Sequence, residues 1–186
     1  MAKVSLVALR SLIPAVLVAL AGVSPAHAQV QTASQDTIDW IALGCTPEDA
    51  FGHRFGQRVQ GARVRPLGED RQPFQRLTLA VTEKTGLLFR AETVGMFPAG
   101  PQSTDSDAVA GQYLFEAIDA RIVQLGVFGY RQRAVDQNGD VEITYAQPVA
   151  RPDSRATLQL TFMLGGVWAS CHDDELHEQH VREVLG

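Results

Sequence analysis

Two cysteines near opposite ends of the chain constrain its fold more than any other sequence feature. Cys45 and Cys171 are the two cysteines among 186 residues, so one intramolecular pairing is available. Trp40 and Trp168 lie a few residues upstream of them, and a tryptophan packed on a disulfide is a common apolar arrangement. A disulfide that closes so long a loop stabilises a fold by about 4–5 kcal/mol in the chain-entropy description. We therefore predict a Cys45–Cys171 disulfide that ties the start of the domain to its end.

The N-terminal segment has the three parts of a secretory signal peptide. Lys3 and Arg10 form a short basic region, residues 11–22 are an apolar run, and Ala26-His27-Ala28 is a small-residue cleavage motif. We expect cleavage after Ala28, which makes residues 1–28 a cleaved signal peptide and Gln29 the first mature residue. The mature protein is then periplasmic or secreted and soluble, in a compartment that permits disulfides.

Two other fates of the N-terminus stay open as alternatives. The apolar run would act as a membrane anchor if it were not cleaved, although a span needs about 20 apolar residues. Residues 42–45 resemble the small-residue site that ends in a lipidated cysteine. The stretch at 29–39 before them is polar, however, whereas such a site needs an apolar run there. No segment after residue 28 is apolar enough for a transmembrane span, so none is expected after processing.

The apolar pattern predicts one folded domain. Residues 29–36 are expected to form a mobile polar leader, and residues 37–186 are long enough for a single globular domain with its own core. Alternating apolar residues predict strands, and apolar residues repeated every three or four positions predict helices. The expected order is a strand at 38–44, a helix that begins at Thr46 and carries Phe51, Phe55 and Val59, a loop at 60–75, strands at 76–83 and 87–97, a helix at 107–125, strands at 127–135 and 140–146, a strand at 156–171 and a helix at 173–185.

Two glycine-containing segments and the apolar faces of two helices add detail to the predicted fold. Asn138-Gly139 is a strong hairpin signal, and Gly165-Gly166 is expected to form a bulge, since the phase of the alternation changes there. The helix at 107–125 is expected to face Asp119 outward, and the last helix to bury Leu176, Val181, Val184 and Leu185. The result is an α+β fold: an antiparallel sheet of five or six strands with about three helices packed mainly on one face.

The arginines are concentrated in one segment. The whole chain carries a formal charge of −5, and loss of the signal peptide removes two further positive charges, so general nucleic-acid binding is disfavoured. Guanidinium groups bind carboxylates and phosphates in a bidentate manner. The acidic residues 173–183 offer an internal alternative, in which the two charged segments face each other. The candidate anion- or partner-binding residues are Arg54, Arg58, Arg63, Arg65, Arg71 and Arg76.

The C-terminal histidines suggest a metal site. Asp173, His177 and His180 fall on one face of the predicted last helix, and imidazole and carboxylate are zinc ligands. The stretch His177-Glu178-Gln179-His180 is one residue shorter than the zinc-protease motif, so a catalytic metal is disfavoured. The alternative is a solvated helix face. No cofactor is expected, apart from zinc at these residues.

Motifs of known catalytic chemistry are missing from the sequence. It contains no G-x-S-x-G nucleophile motif and no glycine-rich phosphate loop. Ser170, Cys171 and His172 are neighbours, but adjacent strand residues point to opposite faces and do not build a triad. A hydrolase site assembled only in three dimensions, for instance from His53, Asp173 and His177, stays an alternative.

These features favour a non-catalytic, exported binding domain. Its expected partner is an envelope protein or an anionic surface component, and nucleic acid is not expected. The alternatives are a small-ligand or metal-binding protein that uses the C-terminal histidines, and the hydrolase.

Overall fold

The computed structural model describes residues 33–46, 51–97 and 105–186, with side chains from residue 109 onward in the last range. The predicted signal peptide, its expected cleavage site and residues 29–32 lie outside these ranges, as does Pro47. The described elements are α1 (Gln35–Ala42), β1 (Val64–Pro66), a short 3-10 helix (Glu69–Arg71), β2 (Phe74–Val81), β3 (Leu88–Met96), α2 (Asp105–Leu125), β4 (Phe128–Val135), β5 (Val141–Pro148), β6 (Ala156–Met163), β7 (Gly166–Asp173) and α3 (Asp174–Leu185).

The strands form one antiparallel sheet, in the order β1-β2-β3-β7-β6-β5-β4. The α+β prediction is confirmed, and the sheet has seven strands rather than five or six in the described part of the chain. One extra strand, β1, lies in the predicted loop. The other arises because the segment at 156–171 is two strands, β6 and β7, instead of one bulged strand. Leu164 and Gly165 both have positive φ, 47° and 73°, as a two-residue hairpin turn requires.

The start of the domain differs from the sequence prediction. The stretch expected to be a strand at 38–44 is largely helix α1, which Ser34 caps by accepting a hydrogen bond from Thr37 N. The described structure therefore includes residues 33–36 of the predicted mobile leader. The helix expected to run through Val59 is not formed in residues 51–59, where Gly52 and Gly56 take φ values of 72° and 78°, which are incompatible with helix.

Helices α1 and α2 pack on one face of the sheet, which we call the core face. The predicted stripe of α2 is buried there through Leu114, Ile118 and Ile122. It lies against strand residues such as Leu158 and Ala169, both fully buried. No helix in the described ranges is long and apolar enough to cross a membrane.

The opposite side of the sheet, which we call the outer face, is mostly polar. Strand alternation and the observed register place its residues opposite one another on neighbouring strands. They are Arg76, Thr78, Arg90, Glu92, Val94, Met96, Trp168, Ser170, His172, Thr157, Gln159, Thr161, Glu142, Thr144, Tyr130 and Gln132.

Helix α3 does not bury the apolar side that the sequence predicts. Val181, Val184 and Leu185 are 41%, 57% and 82% exposed. The helix instead contacts β3 and β7, and the rings of its two histidines stack on Phe89. The apolar repeat was a poor guide here, because the contacts of this helix with the sheet include aromatic stacking and polar contacts.

Candidate functional site

The predicted disulfide is present and joins the end of α1 to β7. Cys45 and Cys171 are bonded, with their Cα atoms 5.6 Å apart, inside the usual range for disulfides of about 4.4–6.8 Å. Both are buried on the core face, at 4% and 1% exposure. Trp168 does not pack on the bond as expected, because it lies on the outer face. Trp40 contacts Phe51, which lines the pocket beside the bond.

A small pocket opens beside this disulfide and is bordered by basic side chains. Its lining includes both cysteines, His53, Arg54 and Arg151. Its volume is about 10 Å³, which is room for one water molecule. The pocket is therefore too small to enclose a ligand, and any partner has to bind at its mouth.

Three chain segments bring the basic side chains together. Arg65 of β1 places Nη1 3.4 Å from His53 Nε2, and Arg151, after β5, donates from Nη2 to the carbonyl oxygen of Cys45 at 3.4 Å. We call His53, Arg54, Arg65 and Arg151 the disulfide rim. Arg151 was missed by sequence reasoning, because it lies about a hundred positions from the others and only the fold brings it here.

The rim arginines have no acidic partner in the part of the chain that the structure describes. No carboxylate oxygen there lies within 4.0 Å of Arg54, Arg65 or Arg151. Arg54 and Arg151 are exposed, and Arg65 is half-buried. Guanidinium groups in this state can form charge-assisted hydrogen bonds with a phosphate or carboxylate.

The other predicted arginines do not join the rim. Arg71 has a structural role: it donates to the carbonyl oxygen of Asp36 at 3.2 Å and lies over the Trp40 ring. Arg58 pairs through its backbone with Leu87, and Arg63 through its carbonyl oxygen with Leu79. Arg76 lines an outer-face groove with Val94 and Met96.

The acidic residues of α3 do not pair with the arginine segment in the described ranges. Asp174 Oδ1 lies 3.0 Å from His172 Nε2, and Glu178 pairs with Arg182. Glu183 accepts a hydrogen bond from Lys84 N at 2.7 Å. None of these partners belongs to the arginine segment. The contacts therefore do not support the alternative in which the two charged segments face each other.

The three predicted metal ligands are all engaged in other contacts. Asp173 caps α3, accepting from Leu176 N at 3.1 Å. The rings of His177 and His180 lie 5.4 and 5.0 Å from that of Phe89. Among the described residues, no three His, Cys, Asp or Glu side chains are grouped to hold a metal. The zinc site stays a prediction.

A second polar cluster lies on the outer face near α3. His172 Nε2 is 2.7 Å from Thr157 Oγ1 as well as 3.0 Å from Asp174. Burial lowers the pKa of His172 below the ordinary value, although Asp174 opposes this shift.

Ser170 shares the outer face with His172, because the two residues are two positions apart on β7. Adjacency excludes a triad of Ser170, Cys171 and His172, but it does not separate Ser170 from His172. The Ser170 hydroxyl nevertheless accepts from Arg90 Nε at 3.0 Å, and no hydrogen bond joins it to His172. The pocket beside the disulfide contains His53 but neither Asp173 nor His177, so it does not assemble the proposed hydrolase residues.

No protein-family model matches the chain, and no curated protein or solved structure is significantly similar to it.

Proposed function

We propose that the chain is an exported, non-catalytic domain that binds an anionic component of the cell envelope through the disulfide rim. The observation that carries this proposal is the convergence of four basic side chains from three chain segments around one disulfide. The rim arginines have no ion pair within the described ranges. The signal-peptide pattern in residues 1–28 supports an envelope or extracellular location.

The chemistry of the rim favours phosphate or carboxylate groups on a surface. The adjoining pocket holds no more than a water molecule, so the rim would contact its ligand from outside. The protein as a whole is acidic, with a formal charge of −5. Binding therefore has to come from the local attraction between the rim arginines and the anionic groups, and not from the net charge of the protein. Attraction between exposed charges weakens as the salt concentration rises.

The test is co-sedimentation of the mature protein, beginning at Gln29, with lipid vesicles. One set contains phosphatidylcholine with phosphatidylglycerol, a second contains phosphatidylcholine with lipopolysaccharide, and a third contains phosphatidylcholine alone. We expect binding to an anionic set that is lost between about 50 and 500 mM salt, and none to the neutral set. Equal binding to all three sets, or no binding to either anionic set, would contradict an anionic surface ligand.

A protein of the envelope is the alternative partner, and photo-crosslinking distinguishes it from an anionic surface. A photo-crosslinking side chain at Arg54 would capture an envelope protein if the rim docks on one. Such capture without vesicle binding would assign the rim to a protein partner and reject the anionic surface component.

A further inference from the structure

The outer face presents a row of polar side chains that crosses six of the seven strands. From β2 to β4, Thr78, Glu92, Ser170, Gln159, Thr144 and Gln132 lie opposite one another in register. The next row carries Trp168 beside Thr161. An antiparallel sheet often has one solvated face, but a large tryptophan in the middle of such a face needs a separate explanation.

The Trp168 ring lies along the sheet instead of projecting from it. A Cβ atom built on Gly166 would be 2.7 Å from Cζ3 and 2.9 Å from Cη2 of the indole, and 3.0 Å from Met96 Sδ. The six-membered ring therefore occupies the space above Gly166, where any larger residue would displace it. Trp168 stays half-buried, so the sheet covers part of the ring and the rest faces solvent.

Polar groups around this ring are available to a ligand. The side chains of Gln159, Thr161 and Thr78 form no hydrogen bond with any residue in the described ranges, and neither does the indole N–H of Trp168. The amide and hydroxyl groups supply both donors and acceptors, without a charge.

The charges near the centre of the outer face balance. Glu92, which belongs to the polar row, forms an ion pair with Arg90 of the adjacent row. Arg76 and Glu142 lie on opposite sides of Trp168 and have opposite signs. A strongly charged polymer would find no net complementary charge here, in contrast to the disulfide rim. An apolar protein surface would leave the amide and hydroxyl groups unpaired, which is unfavourable.

We propose that the outer face binds a neutral glycan chain, with one sugar ring stacked on Trp168 and its hydroxyl groups bonded to Gln159 and Thr161. The C–H face of a pyranose ring complements the negative face of an indole, and its hydroxyls both donate and accept, as the surrounding side chains do. This surface is separate from the disulfide rim, on the other side of the sheet, and does not rest on the function proposed for the rim.

The test is native affinity electrophoresis through gels that contain one neutral soluble polysaccharide each: dextran, hydroxyethylcellulose or glycol chitin. At least one of them should retard the wild-type protein relative to a gel without glycan. Trp168→Ala should weaken that retardation by about fivefold or more, as loss of an aromatic contact does. Gln159→Ala and Thr161→Ala, which remove half-buried groups outside the core, should each weaken it less. Trp40→Phe, which changes the other tryptophan, within α1, should leave it unchanged.

A fluorescence measurement on a variant that keeps Trp168 tests the proposal even if Trp168→Ala does not fold. In the Trp40→Phe variant Trp168 is the remaining tryptophan, so the retarding glycan should change its emission and protect it from acrylamide quenching. The proposal is overturned if none of the three glycans retards the wild type, or if Trp168 emission is unaffected by a glycan that does. It is also overturned if sedimentation shows that Trp168 mediates association between copies of the protein.

Discussion

The Tyr145 phenol donates a hydrogen bond to the Asp119 carboxylate at 2.6 Å, in the buried space between β5 and α2. Arg131 of the edge strand β4 reaches the same carboxylate, with Nε 2.8 Å from Oδ1. Asp119 is 7% exposed, so the sequence prediction that it faces outward was wrong. The reason is that two partners on the sheet, invisible in the helical pattern, compensate the carboxylate for the loss of water.

Removal of the phenol should destabilise the fold. Tyr145→Phe keeps the ring but leaves one hydrogen-bonding position of a buried carboxylate unfilled, which costs about 1–3 kcal/mol. Urea unfolding of the protein expressed from Gln29 measures this free energy. Tyr130→Phe, which changes an exposed tyrosine of β4, is the matched control and should change stability by less than about 0.5 kcal/mol. Equal effects of the two substitutions would contradict a specific role for the Tyr145–Asp119 bond.

The same carboxylate should contribute to the acid limb of the stability profile. Burial raises the pKa of Asp119, but hydrogen bonds from Arg131 and Tyr145 outweigh that effect and hold it below the ordinary value. A carboxyl whose folded pKa is lower than its unfolded pKa of about 3.9 stabilises the fold above that pH. This contribution is lost as the pH falls through the folded pKa. Asp119→Asn should therefore lower the free energy of unfolding more at pH 7 than at pH 2, as measured by urea unfolding at both pH values. An equal loss at the two pH values would show that the Asp119 carboxylate does not contribute to the acid limb.

Reduction of the disulfide should lower the thermal midpoint. The Cys45–Cys171 bond spans 126 positions, so its loss releases a long loop in the unfolded chain. At about 4 kcal/mol, and about 2–4 °C per kcal/mol for a domain of this size, the expected drop in Tm is on the order of 10 °C. Scanning calorimetry with and without reductant measures it. An unchanged Tm, with reduction verified by mass, would show that the bond adds no stability.

The metal hypothesis has a direct test. If His177 binds zinc, elemental analysis of protein purified without a histidine tag should find stoichiometric metal, and His177→Ala should remove it. In the structure, His177 instead stacks on Phe89. A wild-type protein without stoichiometric metal would end the zinc hypothesis.

The sequence was most informative where a local pattern has one structural meaning. Alternation in β2 and β3, the Asn138-Gly139 turn and the buried stripe of α2 all predicted the observed elements. Gly165 was ambiguous, because a bulge and a hairpin turn both accept a glycine with positive φ. Helix α1 was missed although Ser34 is a good N-cap, since a short apolar run fits a strand as well as a helix.

The candidate sites were harder to predict from the sequence than the helices and strands, because they depend on tertiary structure. The sequence grouped Arg54, Arg65 and Arg71 as candidates. In the structure Arg54 and Arg65 lie at the rim, whereas Arg71 lies against Trp40 and Asp36. Arg151 and the platform made by Trp168 over Gly166 were not predicted. Each requires contacts between distant segments, or a ring orientation, that periodicity does not contain.

The most direct measurement of the central claim compares two double variants on the anionic vesicles that bind the wild-type protein. Arg54→Ala/Arg151→Ala removes two rim charges, and Lys84→Ala/Arg182→Ala removes the same formal charge from the β2–β3 turn and from α3. We expect the rim variant to bind at least about tenfold more weakly, as loss of two charge-assisted contacts implies, and the control to bind within about twofold of the wild type. Equal weakening in both variants, with circular dichroism showing that both are folded, would mean that overall charge and not the disulfide rim determines binding.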